Sequence, residues 1–181
     1  MKRRRKIVVS IAMSTDGFIA RPDGDVTWLD RPGAKGDYGM GKFFKTIDTI
    51  LWGRKTYAKG IEMGMKSADF GKGIKHYLFS HHPRKSLLPG FEWTSKAVKT
   101  FAQRLRAQSG KDIWMMDGEL IASFLDEGEI DEFRIHVIPI LIGEGIPLIQ
   151  SRHLSIPLKL VSSKAFPDGV VELNYRVEGH S

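Results

Sequence analysis

Apolar and polar positions follow two successive regimes along this chain. Residues 7–13, IVVSIAM, are an apolar run broken once, at Ser10, as in a strand buried on both faces. TILWG (49–53), HYLFS (76–80) and IWMM (113–116) are further strand-like runs. RKTYAKGIEMG after the first of these reads as a short helix. Val98, Phe101, Ala102 and Leu105 mark one face of a helix over about 96–108. Leu120, Ile121, Phe124 and Leu125 mark another, which Gly128 is placed to end. A helix over 37–48, with Asp37 as a possible N-cap, is weakened in its first turn by Gly39 and Gly41. From Glu132 the regime changes: FRIHVIPILI, IPLI, LKLVSSKAF and VVELNYRV are all strand-like, and Pro167-Asp168-Gly169 is a hairpin turn.

Alternating strand and helix followed by an antiparallel ending predicts an α/β fold, a three-layer α/β/α domain with a mixed sheet. Residues 15–36, rich in Gly, Pro and Asp, predict a surface loop of a length that is usually functional. No internal repeat, low-complexity tract or linker interrupts the pattern, so residues 1–181 read as one domain, with residues 1–5 as a basic tail.

The composition narrows the chemistry. Hydrophobic residues at 41% and charged residues at 27% are those of an ordinary soluble protein. The absence of cysteine excludes disulfides, thiolate nucleophiles and Cys-ligated metals, and is compatible with a cytoplasmic setting. The net charge of +7 includes five consecutive basic residues, Lys2 to Lys6, expected to form a solvated tail; contact with nucleic acid or an anionic membrane is the lesser alternative. The apolar run after that tail is too short for a signal peptide and lacks a small-residue cleavage site, and no stretch reaches the roughly 18 apolar residues of a membrane span.

Three strand-to-turn junctions carry candidate chemistry, since ligands of open α/β sheets sit where strands end and helices begin. LWGRKTY puts Gly53 at a strand end and Arg54, Lys55 and Thr56 in the first helical turn, so free N–H groups, a hydroxyl and two cations converge as a phosphate requires. Solvated surface residues at a helix start would look the same. Neither the G-x-x-x-x-G-K-[ST] loop nor the G-x-G-x-x-G fingerprint is present. HYLFSHHP ends a second strand with Ser80, His81 and His82, suited to a phosphate or a ribose; a metal on His76 and His82 is not expected, because no acid lies nearby in sequence. DIWMMDGEL is the third junction, and there Asp117 precedes the helix. In the long loop Trp28 is able to cover a flat ligand, or equally to pack the loop onto the core.

The order of AMSTDGFIA with a following tryptophan, LWGRKTY, YLFS, DIWMMDGEL, IDEF and PILIGEGIPL resembles the dihydrofolate reductase superfamily. The nearer likeness is to the bacterial branch similar to the reductase domain of the riboflavin-biosynthesis deaminase–reductase, over about residues 6 to 178. The resemblance implies an NADPH-dependent reductase of a pterin- or pyrimidine-like substrate, with hydride transfer and no protein nucleophile. It implies that Gly53, Arg54, Lys55 and Thr56 grip the pyrophosphate and 2′-phosphate, that Ser80 and His81 lie by the adenosine ribose phosphate, and that Ala12 and Ile19 flank the nicotinamide. Met116, Asp117, Gly118, Glu119 and Leu120 match the segment that lies along the cofactor, and Trp28 matches the tryptophan of the loop closing over the substrate. Asp37 falls on the family's buried substrate-binding acid, a catalytic role that competes with simple helix capping. The family keeps two adjacent glycines where this chain has Asp117-Gly118, and a carboxylate there adds bulk and negative charge. A catalytically weakened nucleotide-binding or interaction module on the same fold is therefore the alternative. The likeness also implies a homodimer, to which PILIGEGIPLI could contribute if it is not ordinary core.

Overall fold

The computed structural model describes residues 3–32, 34, 36–81, 86–151 and 155–179. Among the described residues ten strands and four α-helices follow one another as β1 (Ile7–Ser14), β2 (Phe18–Ala20), α1 (Met40–Phe44), β3 (Ile47–Gly53), α2 (Arg54–Glu62), β4 (Lys75–Phe79) and β5 (Phe91–Thr94). They continue as α3 (Val98–Ala107), β6 (Asp112–Met115), α4 (Gly118–Asp126), β7 (Glu132–Ile138), β8 (Ile146–Pro147), β9 (Leu158–Ala165) and β10 (Val171–Val177).

Eight strands form one sheet in the order β5-β4-β3-β6-β1-β7-β10-β9, parallel from β5 to β7, with β10 antiparallel to both its neighbours. The expected mixed sheet is present, and β1 lies at its centre, which is why that run is apolar on both faces. Its odd positions, Ile7 and Val9, pack under α3 and α4 with Phe101, Leu105, Ile121 and Phe124. Val8, on the other face, packs with Phe43 of α1 and Tyr57 of α2, together with Ile50, Trp52 and Trp114 of the sheet. Two helical layers therefore enclose the sheet. Gly128 ends the turn after α4 at φ 65°, a conformation a side chain would strain.

Three local expectations change. The helix over 37–48 shrinks to Met40–Phe44, because Gly39 takes a left-handed conformation and delays its start. IPLI supplies only a two-residue strand, β8, paired with β2 inside the long loop. FEWT, unassigned by pattern because Glu92 and Trp93 are exposed, extends the sheet as β5.

The basic tail, as far as it is described, is tied to acids at the sheet edge: Arg3 and Arg4 stay exposed while Arg5 is buried. Arg3 pairs with Asp112 at 2.8 Å, Arg4 with Asp131 at 3.2 Å and Lys6 with Glu132 at 2.6 Å. Arg5 is 3% exposed and bridges Asp48, Thr49 and the carbonyls of Leu105 and Lys111. Beside it Arg106 holds Asp131 at 2.6 Å and Glu129 at 3.2 Å. The acids that neutralise the run stand at or near the starts of β3, β6 and β7, so parallel pairing gathers them at one edge of the sheet.

The opposite face of the C-terminal strands is more open. β9 is the edge strand and all eight of its residues are exposed, Leu160 and Val161 by about half. No helix among the described residues is long and apolar enough to cross a membrane.

Candidate functional site

The junctions predicted from β3 and β6 meet at the carboxyl ends of those strands. β3 is paired with β6, so Gly53 and Asp117 emerge side by side and α2 and α4 start from neighbouring points. Asp117 is the N-cap of α4 and 3% exposed. Its Oδ1 accepts from the Leu120 N–H at 2.9 Å, the usual capping bond. Its Oδ2 reaches across to α2, accepting from the Thr56 hydroxyl at 2.6 Å and, at 3.4 Å, from the Thr56 N–H. One carboxylate thus satisfies donors at both helix starts. On the outside of the same gap Lys55 and Glu119 pair at 2.6 Å.

Gly53 makes this contact possible. A Cβ there would lie 2.1 to 2.3 Å from the Asp117 carboxylate. Gly118 is similarly hemmed in, since a Cβ would meet Ile19 at 3.1 Å. Ile19 therefore rests over the start of α4, and Met116 turns to the other face with the Trp52 cluster. Arg54 is exposed, and no carboxylate pairs with it among the described residues. Ser80 lies just past β4, where its carbonyl accepts from the Trp93 indole at 2.9 Å; His81 beside it is exposed. His82 lies outside the described residues. His76 is buried: its Nδ1 accepts from the Trp52 indole at 3.1 Å, and burial lowers its pKa to about 4.

A second group lies beyond the end of β1. Trp28 is buried in a small cluster with Ile138 and Val170, and Ala12 and Tyr38 pack against it. Its Nε1–H has no partner among the described residues. Ser14 donates to Asp16 at 2.6 Å, and Asp16 in turn accepts from the Ile142 and Gly143 N–H groups, so the entry of the long loop is pinned to the turn after β7.

Asp37 lies in neither group. The buried acid implied by the family is not what the structure places there: Asp37 is exposed, and its two oxygens accept from the Gly39 and Gly41 N–H groups, each at 2.9 Å. Those backbone bonds hold its pKa below the usual carboxylate value. In this geometry it caps a turn and stays ionised.

The polar residues gathered nearby were not singled out from sequence. Tyr38 is the one non-glycine residue among those described with positive φ, at 48°. Its carbonyl accepts from Arg134 at 3.1 Å and lies 3.1 Å from His136 Nε2, and its hydroxyl donates to Asp168, which Arg31 also holds at 2.8 Å. Glu172 accepts from Arg134 Nε at 2.7 Å and from Asn174 at 2.9 Å. Desolvation lowers the His136 pKa, so the ring is neutral near pH 7. Arg134 and Glu172 line a cavity of about 460 Å³ between α1 and the β9–β10 hairpin, with Phe43, Lys164 and Phe166. The signal was in FRIHVI: Arg134 and His136 occupy alternate positions of a strand and so share one face.

Residues 94–172 match the family model described as the RibD C-terminal domain. The uncharacterized protein YwjB of Bacillus subtilis is 36% identical over 94% of this chain and 97% of its own. Among solved structures, a Shewanella sp. PV-4 protein provisionally named for riboflavin biosynthesis superposes with a TM-score of 0.85 at 23% identity, covering 96% of this chain and 99% of that one. Dihydrofolate reductase from Enterococcus faecalis, complexed with NADP(H), superposes with a TM-score of 0.65 at 13% identity, covering 99% and 100%.

Proposed function

We propose that this chain, which belongs to the dihydrofolate reductase superfamily in the branch similar to the RibD reductase domain, is an NADPH-dependent reductase of a pterin- or pyrimidine-like heterocycle. The observation that carries the reading is the meeting of two helix starts at the carboxyl ends of β3 and β6, beside the exposed Arg54. That end of an α/β sheet is where nucleotides bind, and Arg54 suits a phosphorylated ribose better than a bare one.

The residues fit NADPH in part. In this reading Arg54, Ser80 and His81 hold the phosphorylated ribose, a role supported by the exposure of Arg54 and His81. The pyrophosphate position does not fit as the chain stands, because Asp117 already takes the Thr56 and Leu120 donors. When bound, NADPH supplies a hydride. The chain's own part is to orient and to exclude water. Trp28 and Ala12 contribute an apolar wall, with the Trp28 indole buried against Ile138 and Val170. Asp37, exposed and with both oxygens taken by the Gly39 and Gly41 N–H groups, has no part in this reading.

A purified sample titrated with NADPH, followed by cofactor fluorescence, is expected to saturate. The same sample with a 5-amino-6-ribosylaminouracil or dihydropterin substrate is expected to consume NADPH. No saturable binding at millimolar cofactor would sink the reading. The second reading, a nucleotide-binding or interaction module without turnover, is favoured by the position of Asp117; it predicts binding with no oxidation of NADPH by any such substrate. A homodimer forms part of the proposal, motivated by the exposed apolar residues of β9. Light scattering is expected to give twice the 20.4 kDa of the chain, and a single-chain mass would remove it.

A further inference from the structure

We infer that Asp117 is a built-in occupant of the phosphate seat: its carboxylate stands between α2 and α4 where a nucleotide phosphate would bind, and a nucleotide has to displace it. This rests on reading the junction as a nucleotide site. Three observations converge on it. The carboxylate takes the donors a phosphate would use, namely the Thr56 hydroxyl, the Leu120 N–H and, more distantly, the Thr56 N–H. No cation pairs with it among the described residues, so the two helix starts are what compensates a nearly fully buried negative charge. The floor beneath it is open only because residue 53 is glycine, and the carboxylate, not solvent, fills the space a Cβ would need.

A phosphate and this carboxylate cannot share the seat. Both are anionic, both need the same donors, and like charges at contact repel strongly where water is excluded. Asp117 therefore stabilises the nucleotide-free protein and weakens nucleotide binding by the same contacts. The exposed Lys55–Glu119 pair closes the outside of the gap and would open with it.

The test uses the full chain, with Asp117→Gly to remove the group and Asp117→Asn to keep its shape and its capping oxygen. For both variants the Kd for NADPH is expected to fall at least about tenfold, as a like charge leaves the seat. The nucleotide-free glycine variant is expected to melt about 2–4 °C lower, as the cap is lost. Inorganic pyrophosphate, which engages the seat alone, is expected to gain affinity in both variants. Adenosine 2′-monophosphate, which needs only Arg54 and the end of β4, is expected to bind all three proteins alike. Unchanged affinity for NADPH and pyrophosphate in the asparagine variant overturns the inference, and leaves the reductase reading standing if the parent protein binds NADPH. Binding by the variants but not by the parent supports the inference and removes the reductase reading. No binding by any of the three overturns both.

Discussion

The parallel strands carry charge at both ends, and the two ends handle it in opposite ways. At their starts, Arg5 and Arg106 are buried among Asp48, Glu129 and Asp131, and each guanidinium also donates to backbone carbonyls. Charge there is matched by charge. At their finishes, the Asp117 carboxylate is as deeply buried, yet among the described residues it is met only by a hydroxyl and backbone N–H groups. A matched cluster has nothing left to offer a ligand. A carboxylate held by helix starts alone occupies donors that an outside anion could also use, so the same degree of burial means a closed structural end in one place and a contested site in the other.

The largest effect is expected where the matched end is broken. Arg106→Ala leaves Glu129 buried without its cation and Asp131 with only the exposed Arg4, and should lower the unfolding free energy by about 3 kcal/mol in urea titrations. A loss below about 1 kcal/mol would mean that the two ends do not differ as described.

Between the two ends lies His76, buried at mid-sheet. Its pKa of about 4 in the folded chain against 6.5 ordinarily means that the unfolded chain binds the proton more tightly. Its contribution is therefore fully present above pH 6.5 and is lost as pH falls from there toward 4, by about 3 kcal/mol in total. His136, also shifted down by burial, acts in the same direction. Stability curves at pH 7 and pH 4.5 should show that fall, and His76→Phe should flatten it even though the Trp52 indole loses its acceptor. An equal slope in parent and variant would show that the group titrates normally.

The smallest effect is expected at the outside of the contested end. Lys55 and Glu119 are 62% and 50% exposed, so Lys55→Ala should change stability by less than about 0.5 kcal/mol, and by less still in high salt. A larger change would mean that this pair, and not Asp117, holds α2 to α4.

Much of this was legible in the chain. IVVSIAM announced a central strand, and the change of regime at Glu132 announced the antiparallel end, because burial on two faces or one leaves a direct mark on periodicity. Asp117 was legible as an awkward residue, yet not as a bridge: its bond to Thr56 joins positions 61 apart, which only the pairing of β3 with β6 brings together. The same holds for the basic run. A run of cations looks free until strand pairing gathers acids at positions 48, 112, 131 and 132 beside its described members, Arg3 to Lys6. Asp37 shows the converse limit, since sequence spacing placed it on a helix start while the left-handed conformations of Tyr38 and Gly39 turned that start outward.

The outer strand β9 has one more implication, for how the protein behaves when crowded. An eight-residue edge with Leu158, Leu160 and Val161 uncovered is a template on which further strands could add without limit. Two copies laid antiparallel about the Val161–Ser162 centre would set Lys159 of each opposite Lys164 of the other, like charge facing like at both ends of the ladder. Like charge at both ends of that ladder disfavours edge-to-edge pairing of two copies in this register, while leaving the apolar side chains of β9 uncovered.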